Sequence, residues 1–251
     1  MDRNVIIAIY KKDLKEILSL NTVKYSFIFF PLVFLFILLI VLYFTYTNLL
    51  TSQSIQTNFE KLSMFGYIAT NYLIFFGIIP LSLASTISSY SIVGEKTQKT
   101  IEPILAAPVD DSDIFLGKLL SPFIPTIIAT YVVLAFYTFF ADFLSINFGG
   151  FVFPSIAWYS ITLIFIPFST ILMILMTLIF SSRTVDPRSA QQFSAIILIP
   201  LIIIFLFGIL VYTLTSILIV IMSIFVVILD IVVFRIALKV FNREIILTRW
   251  K

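Results

Sequence analysis

Residues 25–46 read YSFIFFPLVFLFILLIVLYFTY. The 22 residues from Tyr25 to Tyr46 contain no charged side chain, and a helix of roughly 20 apolar residues spans the hydrocarbon core of a bilayer. The run is too long for the apolar region of a secretory signal peptide, and no small-residue cleavage pattern follows it. Working outward, four further runs of the same kind are plain: 65–93, 114–141, 154–180 and an apolar stretch of 46 residues from Phe193 to Leu238. As one helix that last stretch would reach about 69 Å at 1.5 Å per residue. It is therefore read as two crossings, 193–212 and 214–238, joined by a tight hairpin at Tyr212 to Thr215. The expectation is an all-α polytopic membrane protein of six transmembrane helices.

Composition agrees. Of 251 residues, 61% are hydrophobic and 12% charged, whereas soluble domains are roughly 45–50% apolar and about 25% charged. The net charge of +3 is too small to suggest nucleic acid as a partner; its distribution says more. Lys and Arg cluster in the N-terminal segment (Arg3, Lys11, Lys12, Lys15, Lys24), between spans two and three (Lys96, Lys99, Lys118), between four and five (Arg183, Arg188) and at the C-terminal end (Arg235, Lys239, Arg243, Arg249, Lys251). The opposite side carries Lys61 alone, a split of 15 to 1. By the positive-inside rule both termini are expected in the cytoplasm. The longest external connection is the polar stretch Thr47 to Met64. The whole chain, 1–251, reads as a single transmembrane domain with no soluble domain attached.

Cysteine and histidine are both absent. That removes disulfides, thiolate or imidazole metal sites, a Ser-His-Asp triad and a Cys nucleophile. No catalytic, cofactor-binding or metal-binding residue is nominated, and the chain is not expected to be an enzyme by itself.

Residues 1–24 form the first of two cytoplasmic features. At 100° per residue Ile6, Ile7, Ile9, Tyr10, Leu14, Ile17 and Leu18 share one half of a helical wheel. Asn4, Lys11, Lys12, Lys15, Glu16 and Ser19 share the other, and Asp13 is the exception. Such a helix is expected to lie in the membrane interface with its lysines toward the headgroups. It either anchors the first span or also offers a docking surface. The second feature is residues 94–113. Ile101, Ile104 and Leu105 make a small apolar face at helical spacing, Pro108 ends it, and Asp110 to Asp113 bring capping carboxylates to the start of span three. By physics alone this is a short amphipathic helix on the cytoplasmic surface.

Within this second feature Gly94-Glu95-Lys96, Thr100-Ile101-Glu102-Pro103-Ile104-Leu105-Ala106-Ala107-Pro108-Val109 and Gly117-Lys118 resemble the signature of ABC-2-type transporter permeases. Lys12-Asp13-Leu14-Lys15-Glu16 resembles the family's entry helix, and Asp186-Pro187-Arg188-Ser189-Ala190-Gln191-Gln192 with Pro200 resembles its loop before the fifth helix. Lys99 departs from a common Gly and Asp110 from a common Ser; Asp caps a helix as Ser does. The resemblance implies an ABC-2, type V exporter-like permease fold: a multi-pass subunit in the plasma membrane of a prokaryotic cell. It would pair with a second copy or a paralogue and join cytoplasmic ATP-binding cassette ATPase subunits. It further implies that 94–113 carries a coupling helix seated in the ATPase, with Glu95, Lys96, Thr100, Ile101, Glu102, Ile104 and Leu105 as its contacts. The chain has no Gly-x-x-x-x-Gly-Lys-Ser/Thr loop, and Gly117-Lys118 lacks the upstream glycine. ATP and Mg²⁺ are therefore expected in the partner, with no cofactor in this chain.

Two features lie inside the spans. On helix two Tyr67, Thr70, Asn71, Ser82, Ser85, Ser88 and Ser89 fall within about a 120° arc, with Ile74, Ile78 and Leu81 in its middle. A polar face at membrane depth meets protein or water, so the stripe either packs closely through small residues or lines a translocation path. Asp230 is the ionisable residue clearly within a span, a functional candidate by default; snorkelling or pairing with a nearby base such as Arg235 is the plainer reading. The rival function, a secondary transporter not coupled to ATP, calls for intramembrane ionisable groups and an inverted repeat. No repeat is visible, and an intramembrane enzyme would need paired carboxylates that the spans do not hold.

Overall fold

A computed structural model describes residues 2–52, 57–97, 109–181, 184, 186–196 and 216–240. All regular structure among them is helical: α1 (Arg3–Ser19), α2 (Asn21–Thr51), α3 (Asn58–Leu73), α4 (Ile78–Thr97), α5 (Asp111–Ser145), α6 (Ile156–Tyr159), α7 (Ile166–Ser181), α8 (Pro187–Ala195) and α9 (Ser216–Val240). Among the described residues five helical stretches are long and apolar enough to cross a membrane: Asn21–Thr51, Asn58–Glu95, Asp111–Phe148, Ile156–Ser181 and Ile219–Ala237. The expected span 193–212 and its hairpin lie almost wholly outside the described residues. Phe193 to Ala195 belong to α8, a separate short helix capped by Asp186, whose carboxylate accepts the Ser189 N–H at 3.2 Å, with Pro187 in its first turn.

The first three spans overrun the apolar runs that announce them. α2 extends the 25–46 run at both ends, and α5 begins before 114 and ends beyond 141. The 35 residues of α5 make a rod of about 52 Å, longer than a hydrocarbon core of about 30 Å, so one end projects beyond it. The connection between spans one and two contracts accordingly. Thr47 to Thr51 continue α2, and α3 starts at Asn58 behind a capping box in which Thr57 and Glu60 exchange side-chain and backbone bonds. A helix satisfies its own backbone, so the chain stays helical past the hydrophobic edge until a cap or turn stops it.

Span two is the centre of the molecule. Its most apolar window is 78% buried, against 22% for α2, whose Phe36 and Phe44 face outward as lipid-facing aromatics do. Two spans are irregular at mid-length. Span two passes through a 3₁₀ turn, Ile74–Gly77, between α3 and α4. Span four passes through a π-helical turn, Ser160–Phe165, between α6 and α7. The two turns touch each other. A Cβ on Gly77 would stand 2.4 Å from Phe165 Cε1, so only glycine permits this approach. The wider π turn exposes carbonyls, and Tyr131 Oη donates to that of Thr162 at 2.7 Å. Nearby, Phe76 packs on Tyr137 with centroids 4.9 Å apart, and Tyr137 Oη donates to the Ala69 carbonyl at 3.0 Å.

Candidate functional site

The N-terminal helix is docked on protein as well as suited to an interface. Ile6, Asp13 and Ile17 are buried in one stripe, while Ile7 is 38% exposed. The contact face is therefore rotated toward Asp13, the residue that broke the expected apolar half. α1 lies along the first turns of α5. A Cβ on Gly117 would meet Ile9 Cβ at 2.8 Å, so this glycine sets how closely the two helices approach. Asp2 begins α1 by accepting the Asn4 N–H, and its own N–H donates to the Asp113 carboxylate at 2.8 Å. Asp113 thus tethers α1. Asp110 occupies the N-cap position of α5 without a side-chain cap bond, so the capping expected of its carboxylate is not made; Asp111 and Asp113 supply the acidic first turn.

Where α1, the end of α4 and the start of α5 meet, four charges converge. Lys118, 1% exposed, donates to Glu95 Oε2 at 2.5 Å, to Asp13 Oδ2 at 3.3 Å and to the Ser91 carbonyl at 3.3 Å. Ser91 Oγ donates to Asp13 Oδ2 at 3.1 Å. Lys12 reaches over the other side, pairing with Glu95 Oε1 and standing 3.8 Å from Asp13 Oδ1 and from Glu16 Oε2. Burial pushes the Asp13 carboxyl above its usual range; Lys118 opposes that and the nearby Glu95 carboxylate adds to it. Burial acts to lower the Lys12 ammonium, but its hydrogen bond and charge pairing with Glu95 hold it above its usual value. Charges taken out of water need this degree of pairing and hydrogen bonding to persist.

The placement changes the reading of Glu95. Expected as a contact for a partner, it is 1% exposed and both its oxygens are engaged within the chain. Lys96 lies in the last turn of α4. Thr100, Ile101, Glu102, Ile104 and Leu105 lie outside the described residues. Sequence reasoning missed Lys12, Asp13, Ser91 and Lys118 as a unit. Its available signals were the off-face Asp13 and a lysine buried one turn into a span.

The polar stripe divides. Ser85, Ser88 and Ser89 are buried within the chain, where Ser89 Oγ donates to the Thr86 carbonyl at 2.8 Å. Gln191 of α8 donates to Thr86 Oγ1 at 2.9 Å. Thr70, Asn71 and Ser82 are half-buried, and Tyr67 is exposed. Among the described residues the oxygens Asn71 Oδ1, Ser85 Oγ and Ser88 Oγ have no hydrogen-bond partner. Asp230 is 5% exposed, and among the described residues neither of its carboxylate oxygens has a hydrogen-bond partner. Among the described residues no group of acidic side chains is arranged to hold a metal ion.

A family model described as ABC-2 family transporter protein matches residues 7–228. No curated protein and no solved structure matches the chain.

Proposed function

Since the chain belongs to the ABC-2 family of transporter membrane proteins, we propose that it is the permease subunit of an ATP-binding cassette exporter. It works as a dimer with a second copy or a paralogue, driven by separate cytoplasmic ATPase subunits that bind ATP and Mg²⁺. The sixth crossing falls in 193–212, and both termini lie in the cytoplasm, on the side that carries 15 of the 16 Lys and Arg residues.

The observation that carries this reading is the Glu95–Lys118 pair, closed at 2.5 Å. Glu95 ends span two and Lys118 lies near the start of span three, so the pair ties the two roots of the coupling segment together. Asp13 and Lys12 bind α1 to the same point. A segment clamped in this way moves its two spans and the entry helix together when it is pushed. Docking in the ATPase groove then falls to Thr100, Ile101, Glu102, Ile104 and Leu105, with Lys96 at the edge, while Glu95 works as the internal clamp. ATP binding draws the ATPases together, the segment carries that motion into the spans, and the space between protomers alternates its access. Tyr67, Thr70, Asn71 and Ser82 are the stripe residues left available to such a path, and Ser85 and Ser89 back them from inside the protomer.

The test uses Glu102→Ala and Ile104→Asp. Losing one partner of a buried interfacial charge pair typically costs about 2–5 kcal/mol. Both variants are expected to insert normally but to retain less ATPase in pull-downs and to lose substrate-stimulated hydrolysis in reconstituted vesicles. Wild-type values for both variants in both assays would refute the coupling role.

A further inference from the structure

α1 carries three lysines within five residues, and the fold sorts them. Lys12 turns inward to Glu95. Lys11 and Lys15 stay exposed, with Asn4 on the same side. At 100° per residue these three lie opposite the docked stripe of Ile6, Asp13 and Ile17. No acidic side chain shares their side; Glu16 stands beside Lys12 instead. Among the described residues no ion pair holds Lys11 or Lys15, nor Arg3 at the start of α1, nor Lys24 in the first turn of α2. Lys11 and Lys15 are four residues apart, so their side chains are neighbours on the helix surface, and like charges at that spacing repel. An anion placed between them turns the repulsion into two attractions.

The position of α1 decides which anion that is. Ile17, Val23 and Ile87 form a small core of their own, with Leu20, Phe27 and Tyr90 packed on it. This core straddles the break at Leu20, where the backbone is extended, and fixes α1 at the entry of a membrane-crossing helix. Tyr25, just inside that entry, is 62% exposed, as a tyrosine at headgroup level is. Ile7 is exposed at the edge of the Lys11–Lys15 side and offers an apolar foothold in the interface. The surface next to this face is therefore the bilayer that α2 crosses, and the complementary charge in it is an anionic headgroup.

We propose that the Lys11–Lys15 face of α1 binds anionic phospholipid. The two ammonium groups share one headgroup phosphate as charge-assisted hydrogen-bond donors, and Arg3 and Lys24 draw further anionic lipid to the same leaflet. A zwitterionic headgroup presents the same phosphate with its own cation beside it and gains less. Because Asp13 and Lys12 hold α1 to Lys118 and Glu95, the donors are in place before lipid arrives, which lowers the ordering cost of binding. The inference rests on α2 crossing the membrane and not on ATP coupling or the direction of transport.

The experiment places a single tryptophan beside the two lysines, by Ile7→Trp in a chain whose two tryptophans are replaced through Trp158→Phe and Trp250→Phe. The full chain is reconstituted in phosphatidylcholine nanodiscs. Quenching is measured with phosphatidylglycerol or phosphatidylcholine that carries a nitroxide high on the acyl chain, and the ratio of the two gives the lipid preference at α1. Each basic side chain near an anionic membrane surface contributes about a fivefold preference, so phosphatidylglycerol is expected to be favoured by about 25-fold or more. Lys11→Gln with Lys15→Gln is expected to cut that preference at least tenfold and to leave thermal stability unchanged, since neither lysine is held by an ion pair. Lys61→Gln, on a different helix, and millimolar inorganic phosphate are expected to leave the preference intact. Equal quenching by the two lipids in the parent chain would overturn the proposal and leave the face to a protein partner. A preference that survives loss of both lysines, or that falls as far in Lys61→Gln, would overturn it by showing only a general charge effect. Displacement of phosphatidylglycerol by inorganic phosphate would overturn it in favour of a site for the free anion.

Discussion

Lys118→Met is the sharpest probe of the charge cluster. Methionine matches the length and apolar stem of lysine and deletes only the ammonium. Three contacts vanish at once: Glu95 at 2.5 Å, Asp13 at 3.3 Å and the Ser91 carbonyl at 3.3 Å. Glu95 keeps Lys12, and Asp13 keeps Ser91 with Lys12 at 3.8 Å, but two carboxylates at most 2% exposed then share one half-exposed cation. Removing one partner of a buried pair costs about 3–5 kcal/mol, mostly as the penalty on the charge left behind. At about 2–4 °C per kcal/mol for a chain of this size, the thermal midpoint should fall by about 6–20 °C. The assay is thermal unfolding of the detergent-solubilised protein, beside Glu95→Gln and the double variant. Because the double variant removes both charges of the Lys118–Glu95 contact, it should lose less than the sum of the singles, giving a coupling energy of about 0.5–3 kcal/mol. A Lys118→Met midpoint within about 2 °C of wild type, with additive singles, would refute the view that the cluster clamps the three helices.

Gly117→Leu should push Ile9 away, since even its Cβ would stand 2.8 Å from Ile9 Cβ; the expected cost is about 1–3 kcal/mol, read as faster proteolysis at Lys11 and Lys15, and wild-type protection would count against close docking of α1. Single cysteines in this cysteine-free chain report topology: an impermeant thiol reagent on sealed right-side-out cells should label Ser54→Cys but not Thr97→Cys, Ser189→Cys or Thr248→Cys, and labelling of Thr97→Cys would reverse the orientation. Asn71→Leu should alter transport or substrate preference with assembly intact; lost assembly with an unchanged substrate range would assign the stripe to packing.

What the sequence by itself determined is the set of properties that depend on neighbours along the chain. A spanning helix satisfies its backbone internally, so runs such as 25–46 and 114–141 declare themselves by composition, and the helices found there cover them. Caps are equally local: Thr57 with Glu60, and Asp186 ahead of Pro187, are legible because each bonds within three residues. The clustering of Lys and Arg in the N-terminal, 94–118 and C-terminal segments likewise needs no tertiary information. Tertiary structure decided the rest, because burial and pairing depend on groups far apart in the chain. Asp13 and Lys118 lie 105 residues apart, and Lys12 and Glu95 lie 83 apart. Periodicity marked Asp13 as an anomaly without naming its partner, and Glu95, expected in a surface segment as a contact for a partner, is buried by the fold. The polar stripe had one face on a helical wheel, and packing buried Ser85, Ser88 and Ser89 of it within the chain. Asp230 stood five residues from a base that it does not reach. That Asp230 is buried and Arg235 exposed was settled only when α9 packed against α7.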